Sequence, residues 1–593
     1  MRPTNASVIA AIRQLIAYTQ LEDGTSQSFR TRAYEKAIDA IAATHSNVAE
    51  MSVSELREID GIGDATARKI VEFASNGSIG KVERLKTKFP PTMLELMKIP
   101  GLGPKTVLRL QEHLGVTDVA GLEDALDKQL VRTLPGLGVK SEEKIARSIQ
   151  LLGIHSDETR TPIHDAMGIA ARVMAELSAS VDIDRIEYAG SLRRLSETIG
   201  DIDILVASDD AASVTERFIG LPGVTATLGS GDTKASVVID DRIQVDLRVV
   251  REENFGAAWL YFTGSKGHNI ELRQRSLERD TTLNEYSLSS VPTGEVIAAR
   301  TESEIYSALG LAWITPEVRE GAGEIAAADA GALPRPVSVE DIKGDLHLHT
   351  DRSGDGRSTL EAMLDAASAR GLEYVAITDH AENLTMNGLS RAEMLEQHAE
   401  IEEQRVRRPE MAILAGVELN IDAEGSIDYD PEFLELFDIG VASVHSYFDL
   451  DTTAQTARII AAMENPAVTI IGHPTGRKIG SRPGIMFDLD AVLEAAVETG
   501  TALEINSSLQ RLDLSAPFLR RAVEVPGVRF VISTDSHHAS GLSNMKWGVS
   551  LARKGWVRPS SVLNSLPKNE FLAVLGIHGT DSAAEGVQYR DDH

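Results

Sequence analysis

Three sets of residues in this chain are spaced for chemistry. In "GSLRRLSETIGDIDILV" (190–206), Asp201 and Asp203 stand two apart in a run that otherwise reads as a buried strand. An extended chain alternates its side chains, so both carboxylates project from one face. Two adjacent like charges resist burial, and a divalent cation compensates them. Gly190 and Ser191 follow the short strand "IEYAG" and open a helix, so their amides and the Ser191 hydroxyl can face phosphate oxygens. Arg194, one turn on, adds a charge-assisted bond. A third acid, Asp246 in "IQVDLRVV", sits on a strand expected to be the neighbour. Three convergent carboxylates suit two magnesium ions and in-line attack of a hydroxyl on a phosphate.

The second set lies at strand ends. "GDLHLHT" carries His347 and His349, "YVAITDH" ends at His380, and "AGVELNID" carries Glu418. "GVASVHS" ends near His445, "TIIGHP" near His473, and "FVISTDSHH" closes with Asp535 and His537. In α/β barrels the C-terminal strand ends converge on the active site. Imidazole and carboxylate without thiolate favour zinc, manganese or iron. So many ligands exceed the needs of one metal, so two or three ions are implied, with Glu418 as a bridge. Such a cluster lowers the pKa of a bound water and clamps a phosphate, which is the chemistry of phosphoester hydrolysis.

The third set is a repeat. "IDGIGDATARKI" (59–70), "IPGLGPKTVLRL" (99–110) and "LPGLGVKSEEKI" (134–145) share an apolar residue, a spacer, Gly-x-Gly and a helix bearing a basic residue. The glycine pairs are Gly61 and Gly63, Gly101 and Gly103, and Gly136 and Gly138; the local cations are Lys69, Lys105 and Lys140. Free amides at a helix start bind phosphate, and the pattern resembles the helix-hairpin-helix motif, which grips a DNA backbone without reading its sequence.

The elements that carry these sets require several domains, since 593 residues exceed one core. The expected fold is multidomain: a helical N-terminal region carrying the helix-hairpin-helix-like repeats, a mixed α+β region, and a C-terminal α/β region of strictly alternating strands and helices. The expected boundaries are 1–80 (helical, DNA-binding), 81–158 (helical, with the second and third hairpin motifs) and 159–315 (mixed α+β). An Ala/Gly/Pro-rich interdomain linker over 316–341, the α/β metal domain over 342–575 and a frayed tail over 576–593 complete the division. Composition is that of an ordinary soluble protein, 42% hydrophobic and 25% charged. No apolar run approaches a membrane span, and the N-terminus reads as an amphipathic helix and not a signal peptide. There is no cysteine, which excludes disulfides and thiolate zinc sites and suits a reducing cytoplasm. The net charge of −30 has the wrong sign for a phosphate-binding surface. It reads as a generally acidic exterior, as in salt-rich settings, so DNA must be held locally by amides, metal ions and small basic patches.

The run "GSLRR…E…GDIDIL", followed by Asp246 and "YFTGSKGHN" (261–269), resembles the family X DNA polymerases, the class of DNA polymerase beta, over about residues 5–315, which implies a possible lyase domain over 1–80, a fingers region over 81–158 and a nucleotidyltransferase palm with the nascent-pair-binding region over 159–315. The resemblance implies that Asp201, Asp203 and Asp246 hold the catalytic metals, magnesium or manganese. It implies that Gly190, Ser191, Arg194 and Gly200 contact the incoming triphosphate, and that Tyr261, Phe262 and Gly264 pack on its sugar. Asn269 and Arg273 would face the nascent pair and template. Lys69 matches a Schiff-base lysine that excises abasic sugars, with Tyr34 and Lys36 nearby; Ala65 stands where the relatives carry another lysine, so phosphate binding is the equal alternative. The C-terminal region resembles the polymerase and histidinol phosphatase (PHP) domain, a distorted seven-stranded barrel. That resemblance assigns His347, His349, Glu418 and Asp535 to one ion, Glu418, His445 and His473 to a second, and Asp355, His380 and His537 to a third. The loop "DRSGDGRS" departs from the family pattern by an apparent insertion of Gly354 before Asp355.

Together the two resemblances imply a monomeric repair polymerase acting on gapped or nicked DNA with dNTPs. Its PHP domain would act as a 3′–5′ exonuclease, with abasic-site endonuclease or 3′-phosphatase activity as further options. Two alternatives stand beside it: a DNA-end-binding scaffold with a silent centre, and a small-molecule phosphoesterase.

Overall fold

The computed structural model describes residues 5–25, 28–42, 48–59, 61–97, 99, 102–152, 160–384 and 386–577. Gly101 and most of the expected tail lie outside these residues. The chain divides into two units, 1–158 and 159–593.

The regular elements described in the first unit are all helices. The three glycine motifs fold alike. Ile62, Leu102 and Leu137 each donate their N–H to the carbonyl three residues back, at 3.1, 2.9 and 3.0 Å. The turn buries Ile62, Leu102 and Leu134 in one apolar core with Tyr34, Ile70 and Leu110. It then releases the chain into the helices Asp64–Asn76, Pro104–Leu114 and Val139–Leu152. Gly61 takes φ +95° beneath the Lys36 carbonyl, and Gly136 takes φ +79°, a backbone region that side chains disfavour.

The second unit begins with a five-stranded mixed sheet. Its spatial order is Arg185–Tyr188, Asp201–Ala207, Ile243–Val250, Lys234–Ile239, Val224–Gly231. The second and third strands run parallel, in a register that pairs Asp203 with Asp246. A small antiparallel sheet, Thr281–Leu283, Leu288–Ser290 and Val296–Ala298, follows two helices, Phe255–Thr263 and Lys266–Leu277.

Residues 316–341, expected as a linker, are built into the fold. Ile325 and Ala328 of the helix Glu324–Asp329 join the apolar cluster of Leu260, Leu272 and Tyr306. Arg319 is fully buried because Glu302 accepts from its guanidinium at 2.6 and 3.0 Å, and Glu324 is buried against His268 Nδ1 at 2.7 Å. Composition suggested a spacer because the partners that make these charges burial-compatible, Glu302 and His268, stand on elements outside the segment.

The C-terminal part is a seven-stranded, all-parallel sheet in strict chain order, from Gly344–Leu348 to Phe530–Ser533. A Leu348–Ser536 bridge and a bond from His349 N to Ser536 O, at 2.9 Å, bring the last strand back to the first and nearly close the barrel. Each strand is buried on both faces, as its unbroken apolar run requires.

Candidate active sites

The first centre is assembled at one end of the mixed sheet. Asp203 is largely buried, and its pKa is pushed up to about 7 by burial first and then by the charges of Asp201 and Asp246. A buried carboxylate held beside two further acids forms a site in want of a cation. Gly190 explains why a glycine precedes Ser191. It holds φ +59°, and a Cβ there would fall 2.0 Å from Asp203 Oδ2. Arg194 and Arg248 lie close enough to Asp203 for their charges to oppose its protonation. Arg194 donates to the Thr263 carbonyl at 2.7 Å, next to Gly264, which takes φ +68°. Asn269 Nδ2 donates to the Tyr261 carbonyl at 2.8 Å, and the Arg273 guanidinium lies 5.2 Å from the Tyr261 ring centre. Phe262 meets Tyr261 edge-on and is overlain by Arg248 at 5.2 Å. Gly200 lies beside Arg160, whose guanidinium donates to the Thr198 carbonyl at 2.7 Å.

The second centre lies at the C-terminal ends of the barrel strands. Glu418 is fully buried and presents its two oxygens to different histidines. Oε2 is 3.4 Å from both His347 Nε2 and His349 Nε2, and Asp535 Oδ1 is 3.3 Å from His349 Nε2. Oε1 is 3.2 Å from His445 Nε2 and 3.1 Å from His473 Nε2. Asp355 Oδ2 lies 3.5 Å from His380 Nε2 and 3.4 Å from His537 Nε2, so the Gly354 loop still delivers its carboxylate. His380 also reaches Glu418 through Nδ1, at 2.8 Å. Burial opposes the charge on Glu418, but His347, His445 and His380 outweigh it and hold the carboxyl far below its ordinary range. The donor set fits metal ions on a structural ground. His347 Nε2, His349 Nε2 and both Glu418 oxygens are buried beside one another without a well-aligned hydrogen bond, the short His380 Nδ1–Glu418 approach included, a state that costs about 1–3 kcal/mol per group unless a ligand fills it. His473 and Asp535 have φ of +25° and +53°, unusual for non-glycine residues and common where side chains must be aimed at a site.

In the helical unit Lys69 is half-buried, 5.8 Å from the Tyr34 ring centre, and its pKa is lowered by desolvation first and by Lys81 second. Lys81 thus supplies a neighbouring cation although Ala65 does not. Gly63 and Gly103 cap their helices without a side-chain bond, which leaves first-turn amides open beside the exposed helix face. Lys105 and Lys140 stand in the first turns of their helices.

Family models match the regions in this order: a helix-hairpin-helix domain over residues 3–79, a SAM-like helix-hairpin-helix tandem over 93–150, a DNA polymerase beta thumb over 258–320 and a PHP domain over 345–508. The DNA polymerase/3′–5′ exonuclease PolX of Bacillus subtilis is 38% identical over 572 residues, 96% of this chain and 98% of that protein. The chain belongs to the family X DNA polymerases. In this family X polymerase the barrel alone has further relatives. A probable phosphatase of Thermoanaerobacter sp. is 29% identical over 37% of the chain and 89% of its own length. One of Caldanaerobacter subterraneus is 34% identical over 32% of the chain and 75% of its own length.

The polymerase also uses residues that sequence reasoning passed over. Glu504 accepts from His347 Nδ1 at 2.8 Å and from the His473 amide, Asn420 Oδ1 faces His445 Nδ1 at 2.8 Å, and Arg511 Nε lies 3.3 Å from Asp535. Such partners fix the tautomer and aim of a ligating imidazole. A signal existed. Glu504 is a lone carboxylate inside an apolar strand, and Asn420 shares the strand face of Glu418 two residues earlier.

Proposed function

We propose that this DNA polymerase with 3′–5′ exonuclease activity repairs short gaps, adding one or a few nucleotides and cleaning the 3′ end in the same chain. The convergence of Asp201, Asp203 and Asp246 beside Gly190 and Arg194 carries the synthetic half of the reading. The paired oxygens of Glu418 carry the hydrolytic half. Asp201, Asp203 and Asp246 would hold magnesium or manganese; His347, His349, Glu418 and Asp535, then Glu418, His445 and His473, then Asp355, His380 and His537, would hold zinc, manganese or iron. When bound, such ions neutralise phosphate charge and activate an attacking oxygen.

The chain's own groups orient the reaction. Arg194 and the Ser191 hydroxyl face the triphosphate, and Tyr261, Phe262 and Gly264 form the floor for its sugar. Asn269 and Arg273 face the nascent pair. The hairpin glycines Gly61, Gly63, Gly101, Gly103, Gly136 and Gly138, with Lys105 and Lys140, hold the DNA backbone by amides and local charge. Lys69, held neutral more readily than a free lysine, serves as an abasic-sugar lyase or as a phosphate contact. The protein acts as a cytoplasmic monomer; among its described residues no helix is long and apolar enough to cross a membrane.

Gapped DNA with a labelled primer, incubated with magnesium or manganese and with or without dNTPs, tests both halves in one gel. Extension with dNTPs and resection without them are expected. Asp203→Ala should lose extension and keep resection; extension by that variant would remove the acids from the synthetic centre.

A further inference from the structure

The helix Met545–Lys554 buries Val549, Leu551 and Ala552, lies against Ser507 and Ile532 of the barrel at Gly548, and its last residue reaches the segment that follows Gly190. Lys554 Nζ donates to the Arg194 carbonyl at 2.8 Å and to Glu320 Oε1 at 2.6 Å. The other oxygen of Glu320 lies 3.4 Å from Arg194 Nε. One carboxylate is therefore shared between a barrel cation and the arginine that faces the triphosphate. A second barrel contact grips the same segment. Arg477, in the loop after His473, pairs with Glu197 at 2.8 Å, and its Nε donates to the Arg511 carbonyl at 2.8 Å. Nearby, Gly480 abuts Pro162 so closely that a Cβ would fall 2.6 Å from its ring.

The charge balance gives these contacts a consequence. A carboxylate beside a guanidinium competes with phosphate for the same donors and repels the incoming anion. Lys554 neutralises Glu320 and anchors the backbone from which Arg194 extends. We propose that Lys554 is a positioning residue for nucleotide addition, through which the PHP barrel keeps Arg194 available to an anionic triphosphate without touching it. The proposal rests on the reading of Arg194 as a triphosphate contact.

Single-nucleotide addition on gapped DNA by the full chain tests it, with KM for dNTP and kcat measured separately. Lys554→Ala should raise KM by about tenfold, the scale of one charge-assisted hydrogen bond, with kcat nearly unchanged and 3′–5′ resection at the parent rate. Lys554→Arg should stay near the parent. Lys554→Ala combined with Glu320→Gln should regain most of the lost affinity, because the competing charge is gone. Glu320→Gln alone should bind dNTP at least as tightly as the parent, and this variant decides the matter if Lys554→Ala is insoluble. An unchanged KM in Lys554→Ala, no recovery in the double variant, or a raised KM in Glu320→Gln overturns the proposal. A lower kcat with unchanged KM and slower resection would also overturn it, since that is the signature of lost folded protein. Failure of the parent to add nucleotides at all would remove the synthetic reading itself, a distinct outcome.

Discussion

Gly190→Ala is the sharpest perturbation of the synthetic centre, because it alters no ligand and no charge. The added Cβ would lie 2.0 Å from Asp203 Oδ2 and 3.1 Å from its carboxyl carbon. To reach van der Waals separation the carboxylate must retreat by about 1 Å or more, and misplacement on that scale costs on the order of 100-fold in a reaction that depends on in-line geometry. The residue must also hold φ +59°, which strains any non-glycine residue by about 1–3 kcal/mol. For a domain of this size that strain corresponds to a fall in Tm of several degrees, about 2–4 °C per kcal/mol. Primer extension on a one-nucleotide gap should therefore drop about 100-fold while the protein stays folded. Resection of an unpaired 3′ end should proceed at the parent rate, because Glu418 and its histidines belong to another sheet. Parallel measurement of extension, resection and thermal unfolding separates the effects. Extension at the parent rate would refute the argument that Gly190 is small to make room for Asp203, and with it the placement of that acid at the reacting centre.

Glu418→Ala should release metal from two positions of the barrel and abolish resection while extension survives, read by metal analysis and gel assay on the same preparation; His537→Ala, which faces only Asp355 and His380 among the proposed third set, should lose less of both. Because burial and its neighbouring acids push the Asp203 carboxyl up to about 7, protons compete with the cation as pH falls through that value. The apparent magnesium affinity for extension should weaken by up to about tenfold per unit as pH falls through 7 and level off above it, measured as the metal dependence of single-nucleotide addition on either side of neutrality. Binding to gapped DNA should have a shallow salt dependence, about three to five counterions at roughly 0.9 per phosphate, because hairpin amides and a few lysines carry the contact; a slope near ten (about 0.9 per phosphate) would reveal an extended basic surface.

The chemistry of both centres was legible in the chain itself because each ligand sits in a local pattern, a strand alternation or a strand end. Asp201 and Asp203 share a strand face by alternation alone, and strand-end histidines converge wherever parallel strands close on themselves. The Gly-x-Gly turns are local too, set by a bond spanning three residues. Tertiary structure alone decided which charges could be buried. Arg319, Glu302, Glu324 and His268 make the 316–341 segment part of the fold, yet each is polar and its partner stands on another element, 17 residues away for Arg319 and Glu302 and 56 for His268 and Glu324. The same holds for Glu504 behind His347, and for Lys554, which meets Arg194 across more than half the sequence. A buried charge is stable only beside its compensating partner, and no periodicity in a linear sequence records where a partner from another element will stand.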